Sequence, residues 1–153
     1  MNFWFVVEQF IALRNGDKSP YYELNSFGGI AVYNIGRQKS EKNVPFPDSL
    51  KKQKVTDFAF DGQNAWVGTR DGLYRYNMQT KRWRRFTDAD GLSSNHISTL
   101  TVDVADGSNP ALWVGAADEG ASRYDLRTGK WETFTMKDGL SDHNIRDIVV
   151  VRC

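Results

Sequence analysis

Cysteine is nearly missing. Of 153 residues only Cys153, the last, is one, so an intrachain disulfide and a cysteine-rich metal site are excluded. Histidine is scarce too, at His96 and His143, and two imidazoles without a thiol do not complete a tetrahedral site. No metal or cofactor is expected. Apolar runs stay short of the roughly 20 residues that span a bilayer. The segment MNFWFVVEQFIAL at the start comes nearest to a signal peptide, but Glu8 and Gln9 interrupt it. It also lacks a basic leading region and a small-residue cleavage site, and it reads as a strand. Charge of one sign is not in excess: the net charge is +1. Neither nucleic acid nor a membrane surface is expected as a partner. Arg82, Arg84 and Arg85 cluster, but they flank Trp83 in one expected strand and read as its solvated outer edge. No segment holds a helical period, so helix content should be very low.

What the chain does have is aromatics and repetition. Phe, Trp and Tyr make up 13% of it, with nine Phe, five Trp and six Tyr, a bias towards strands. GLYRYNMQTKRWRRFTDADGLSSNHI (72–97) aligns without a gap to GASRYDLRTGKWETFTMKDGLSDHNI (120–145), with 12 of 26 positions identical. AWVGT (65–69) returns as LWVGA (112–116), and a weaker copy begins at GGIAVYN (28–34). Duplication explains this pattern.

Each unit reads as four short strands. In the middle one these are 55–60, 64–69, 73–77 and 82–87, separated by Asp61-Gly62, Arg70-Asp71-Gly72 and MQTK turns. Asp-Gly between alternating apolar runs is a hairpin signal. In the next unit the strands fall near 97–103, 111–116, 121–125 and 130–135. Trp83 and Phe86 are expected on opposite faces of one strand, and Trp131 and Phe134 repeat the arrangement. Both faces of the sheet are then covered. Gly68 and Gly115 suit a strand whose backbone is closely approached. Small four-stranded sheets repeating every 43–48 residues describe an all-β chain of β-propeller blades, each an antiparallel meander.

The stretch WVGTRDGLYRYNMQTKRWRRFTDADGLSSNHI resembles the two-component regulator propeller repeat. That pattern runs W-[VI]-G-T, G-L-x-R-Y-[DN], a four-residue turn, F-T, and D-G-L-[SP]-x-[ND]. The resemblance covers 55–150 well and 28–54 loosely. It implies a sensor region of a bacterial hybrid two-component regulator, periplasmic or extracellular, with glycan fragments as a plausible ligand class. The whole chain (1–153) is one propeller region. Its units are 1–54, a degenerate first blade with an insertion at 14–27; 55–87, the second blade; 97–135, the third; and 145–151, the first strand of a further blade.

The chain opens at a second strand, near 3–8, so the strands amount to about three blades, fewer than the four or so that close a ring. The propeller is therefore incomplete or closed by an oligomer. Further blades of the same protein are the favoured partner. The alternative is a second copy, each chain lending 145–151 to the other's first blade.

In a four-stranded meander the inter-blade loop and the loop between strands two and three share one end. That places Arg70, Asp71, Asn95, His96, Asp118, Glu119, His143 and Asn144 together as candidate ligand-binding residues. Asp90-Gly91-Leu92-Ser93 and its copy at 138–141 read instead as a structural joint: aspartate on backbone amides, glycine at positive φ, leucine plugged between blades. DVADGSNP (103–110) lacks the acidic spacing of a calcium loop and reads as a hairpin turn. Asp118 and Glu119, read as neighbours in a strand, would point apart. No nucleophile elbow, phosphate loop or His-Glu-x-x-His motif occurs, so no catalytic residue is expected. The rival readings are a protein-interaction scaffold of an envelope or secreted protein and, behind it, a propeller lyase or hydrolase.

Overall fold

The computed structural model describes residues 2–7, 29–34, 39–40, 47–104 and 109–151. The expected insertion at 14–27, the centre of the 103–110 turn and Cys153 lie outside them. The chain divides into two compact units, Met1–Val55 and Thr56–Cys153.

The first unit holds a three-stranded antiparallel sheet, β1 (Asn2–Val7), β2 (Gly29–Asn34) and β3 (Lys39–Ser40), paired in that order. A single helical turn, α1 (Asp48–Lys51), follows. Two four-stranded antiparallel meanders come next. They are β4 (Val55–Phe60), β5 (Asn64–Thr69), β6 (Gly72–Asn77) and β7 (Arg82–Phe86), then β8 (Ile97–Asp103), β9 (Ala111–Ala116), β10 (Ala121–Asp125) and β11 (Trp131–Phe134). Among the described residues α1 and two 3-10 turns, 88–90 and 136–138, are the only helical pieces. The chain is all-β.

Register ties the three sheets to one pattern. Trp66 stands opposite Arg75, and Trp113 opposite Arg123. In the first sheet Trp4 stands opposite Val32, with Phe3 opposite Tyr33 where Ala65 faces Tyr76 and Leu112 faces Tyr124. β1 and β2 therefore correspond to the second and third strands of the later sheets.

The second and third sheets pack face to face. Trp66, Leu73 and Phe86 from one meet Leu100, Leu112, Val114 and Tyr124 from the other in a single buried cluster. Trp131 turns towards this interface, 4.6 Å from Tyr124 and 5.8 Å from Phe86 between ring centroids. Phe134 takes the far face with Trp113 (5.5 Å), and Trp83 likewise leaves Phe86 to stack on Tyr76 (5.0 Å). Aromatics on both faces, expected from the Trp–Phe spacing, are what the sheets show, although on the far face of the third sheet Trp113 and Phe134 are only half-buried. Gly68 and Gly115 are closely approached, as expected: a Cβ on Gly68 would stand 2.7 Å from Ile97 and one on Gly115 2.6 Å from Thr99.

Carboxylates and amides set the turns at the other end. Asp61 Oδ1 accepts from the backbone N–H of Gln63 (2.8 Å) and Asn64 (2.7 Å), while Oδ2 accepts from the Trp66 indole (2.8 Å). Asn77 Oδ1 accepts from the N–H groups of Gln79 and Thr80, and Asp125 Oδ1 does the same for Arg127 and Thr128.

Residues 145–151, read as a first strand, carry no strand pairing among the described residues. A leading strand pairs with the strand that follows it, and none follows within the described residues.

Candidate functional site

The two loops that leave β7 and β11 are built alike up to their glycines. Asp90 Oδ2 accepts from the Thr87 N–H (2.9 Å), and Asp138 Oδ2 from the Thr135 N–H (2.9 Å) and hydroxyl (3.0 Å). Each closes a 3-10 turn that ends on a left-handed glycine, Gly91 at φ 114° or Gly139 at φ 102°. Leu92 is buried in the interface cluster and the Ser93 N–H donates to Ser122 Oγ (2.7 Å). In the first copy Asp-Gly-Leu-Ser is thus committed to joining the two sheets, while in the second Leu140 is only half-buried.

Hydrogen bonds from Thr135 hold the Asp138 carboxyl below the ordinary aspartate value of 3.8, and those from Thr128 and Arg127 do so for Asp125. A depressed folded-state pKa stabilises the fold above the unfolded value, and that contribution is lost as pH falls through the folded one. Asp138→Ala is accordingly expected to melt below the parent between pH 5 and 7, with the gap closing below about pH 4. Thermal melts across that range check it. A gap that persists at pH 2.5 would contradict it.

Beyond the serines the loops part. In the first, Asn95 and Asp88 clasp each other: the Asp88 N–H donates to Asn95 Oδ1 (2.9 Å) and Asn95 Nδ2 to Asp88 Oδ1 (3.0 Å). The equivalent pair in the second loop is Met136 and His143, which cannot make that exchange. Both are exposed.

The backbone shows how the copies correspond. The Gly72 N–H donates to Asn95 O (2.7 Å), and the Gly120 N–H to His143 O (2.7 Å). His143 therefore replaces Asn95, Asn144 replaces His96, and the two histidines occupy different places.

The sheet-linking bonds also bring most of the candidate residues to one end of the paired sheets. Asp71 lies in the turn beside Asn95. It is fixed by the Thr69 hydroxyl, which accepts from its N–H (3.0 Å), and by Arg85, whose Nη2 reaches its Oδ1 at 2.7 Å. His96 O accepts from the Ala117 N–H (3.0 Å), and its Nδ1 lies 3.9 Å from Asp118 Oδ2. Asp118 and Glu119 sit in an exposed bend, not in a strand, so the strand argument that they point apart does not apply. Asn144 is exposed, its N–H donating to Asp142 Oδ1 (3.1 Å). Arg70 is exposed in the turn before β6. Among the described residues no three His, Cys, Asp or Glu side chains come close enough to hold a metal ion.

Sequence reasoning missed the residues that bind the sheets electrostatically. Arg75 lies over Trp66 (5.5 Å) and Phe86 (5.4 Å), with Nη1 3.4 Å from the Tyr124 hydroxyl. Arg123 repeats the stack over Trp113 (5.9 Å). The signal was present in the shared R-Y of both copies, at an inward register position beside tryptophan.

No family model and no curated protein matches this chain. Solved structures do. One described as the extracellular domain of the hybrid two-component system BT4673 from B. thetaiotaomicron matches at 26% identity over 76% of the chain, with a TM-score of 0.54. A second structure of the BT4673 extracellular domain, described as that of a one-component system, matches at 28% identity over 69%, with a TM-score of 0.51. The extracellular domain of the hybrid two-component system BT3049 from the same organism is similar in fold, with a TM-score of 0.58 at 19% identity over 77% of the chain. The chain spans only 14%, 13% and 16% of those three chains. The all-β fold with its four-stranded meanders fits a propeller-like architecture, as these neighbours do.

Proposed function

We propose that this chain is a non-catalytic recognition segment of an extracytoplasmic sensor region in a bacterial two-component-type signalling protein, its sheets forming part of a larger propeller. The observation that carries the reading is the likeness to sensor extracellular domains at 26% and 28% identity over 76% and 69% of the chain. The matched repeat motifs support the same assignment.

Recognition is assigned to the loop end of the sheets, with a glycan fragment or another small polar molecule as ligand. Shared loop residues are spent on the joint, and so is Asn95. His143 and Asn144 are exposed at the corresponding places, which leaves their side chains available to a ligand, with Arg70, His96, Asp118 and Glu119 as further candidates on the loops of the same end. Ligand-driven movement of these sheets would be passed to signalling domains elsewhere in the protein.

A thermal-shift screen of glycan fragments on the full-length protein tests this, followed by calorimetry on any hit. The double variant His143→Ala/Asn144→Ala is expected to weaken binding about tenfold or more, the loss of one or two good hydrogen bonds, with an unchanged melting temperature. Silence across the screen alongside a captured protein partner would replace the ligand reading with the scaffold one.

A further inference from the structure

β4 and β8 lead their sheets, each at an edge, and no backbone ladder joins one to the other. A side chain reaches across instead. Asp57 Oδ1 accepts from the N–H of its own successor, Phe58 (2.7 Å), and Oδ2 accepts from the Leu100 N–H of β8 (2.6 Å). An edge strand leaves a row of amides without a ladder partner, and this carboxylate takes one of them. At the next junction the Ser98 hydroxyl donates to Ile145 O and Thr101 Oγ1 to Ile148 O (2.7 Å). These bonds hold 145–148 against β8.

The segment held there repeats β4. VTDFAF (55–60) and IRDIVV (145–150) align without a gap, with aspartate third in both. Asp147 Oδ1 accepts from the N–H of its successor, Ile148 (2.9 Å), as Asp57 Oδ1 does from Phe58. Asp147 Oδ2 accepts no hydrogen bond among the described residues. The surroundings differ in one respect. Asp57 is half-buried and Ala59 packs against the interface cluster, whereas Asp147 is exposed and Val149, at the place of Ala59, is 74% exposed.

We propose that Asp147 is the latch for a further sheet: its Oδ2 accepts a backbone N–H from the leading strand of another repeat of the same protein. The ligand is a strand amide because the carboxylate is already turned, by the Ile148 N–H, as Asp57 is turned where it takes one. The exposed surface around it also continues an interface that the chain has built once, between the second and third sheets. That the repeat belongs to the same protein rests on the larger-propeller reading, and the chain spans only 14%, 13% and 16% of the sensor domains it resembles. Asp57 and Leu100 are 43 residues apart, so the donor should stand at a similar distance beyond Asp147.

The test is hydrogen–deuterium exchange on the full-length protein, resolved to single amides. Asp57→Ala calibrates it: the Leu100 amide is expected to exchange about tenfold faster or more, the loss of a hydrogen bond to a charged group. Asp147→Ala is expected to do the same to one amide in the leading strand of the next repeat. Unchanged protection in β5 and β6 would show in each variant that the fold is intact. If Asp147→Ala leaves every amide of a further repeat unchanged, the latch is overturned and the propeller reading stands. Absence of any further repeat from the protein overturns both. Protection that depends on Asp147 but fades on dilution would mean that a second copy supplies the strand, and overturns the choice of partner.

Discussion

Replacing Trp66 with alanine is expected to cost about 3–5 kcal/mol, the largest loss from any single side chain in the second and third sheets. Trp66 is completely buried. Its ring meets Phe86 at 5.8 Å and Tyr124 at 5.4 Å, and the Arg75 guanidinium lies 5.5 Å from its centroid. Truncation opens a cavity at the sheet interface and removes one of the two rings under Arg75, leaving Phe86. Because a domain of this size has about 5–15 kcal/mol in all, the urea midpoint should fall sharply. Trp66→Phe keeps much of the ring and surrenders the bond to Asp61. That carboxylate retains the Gln63 and Asn64 N–H groups, so about 1–2 kcal/mol is expected from the lost indole bond and trimmed ring. Trp113 holds the same register position but is only half-buried. Trp113→Ala should therefore cost clearly less than Trp66→Ala. Equal losses in urea titrations followed by circular dichroism would contradict the view that burial by the neighbouring sheet, and not the repeat motif, sets the energy.

The same distinction explains what could be read from the sequence. Strand positions were legible because Asp-Gly and Arg-Asp-Gly turns punctuate alternating apolar runs, and those signals act within a few residues. The opposed placement of Trp83 and Phe86, or of Trp131 and Phe134, followed from strand periodicity alone. The brief helical turn at 48–51 left no period to detect. Leu92 and Leu140 belong to identical Asp-Gly-Leu-Ser motifs, yet Leu92 is 4% exposed and Leu140 only half-buried. A local motif does not say which of its copies has a sheet packed beyond it. At the candidate site, the placement of the loops followed from meander topology. The exchange of Asp88–Asn95 for Met136–His143 was visible as two aligned substitutions, but its meaning needed the hydrogen bonds that join residues seven apart. Asp71, chosen for its position, proves occupied by Arg85, a pairing across two strands that spacing does not reveal.

Alanine at Gly91 and at Gly139, the same joint in two copies, is expected to give very different losses. Both glycines hold a left-handed backbone, φ 114° and 102°, which costs an L-residue about 1–2 kcal/mol. At Gly139 nothing lies within 4 Å of the added methyl, so the conformational cost is the whole effect. At Gly91 the methyl would stand 2.8 Å from Trp131 Cβ and 3.1 Å from its Cγ. Trp131 is held by Tyr124 and Phe86 and cannot withdraw without reopening the interface. Overpacking adds about 1–3 kcal/mol there, for a total of about 2–5 kcal/mol. Chemical denaturation of the two single variants measures the difference, with the circular dichroism of each confirming an intact β fold. The comparison isolates the neighbouring sheet, because sequence motif and backbone conformation are the same at both sites. Should Gly139→Ala prove as costly as Gly91→Ala, the sheet packed beyond the first joint would not be what sets the difference.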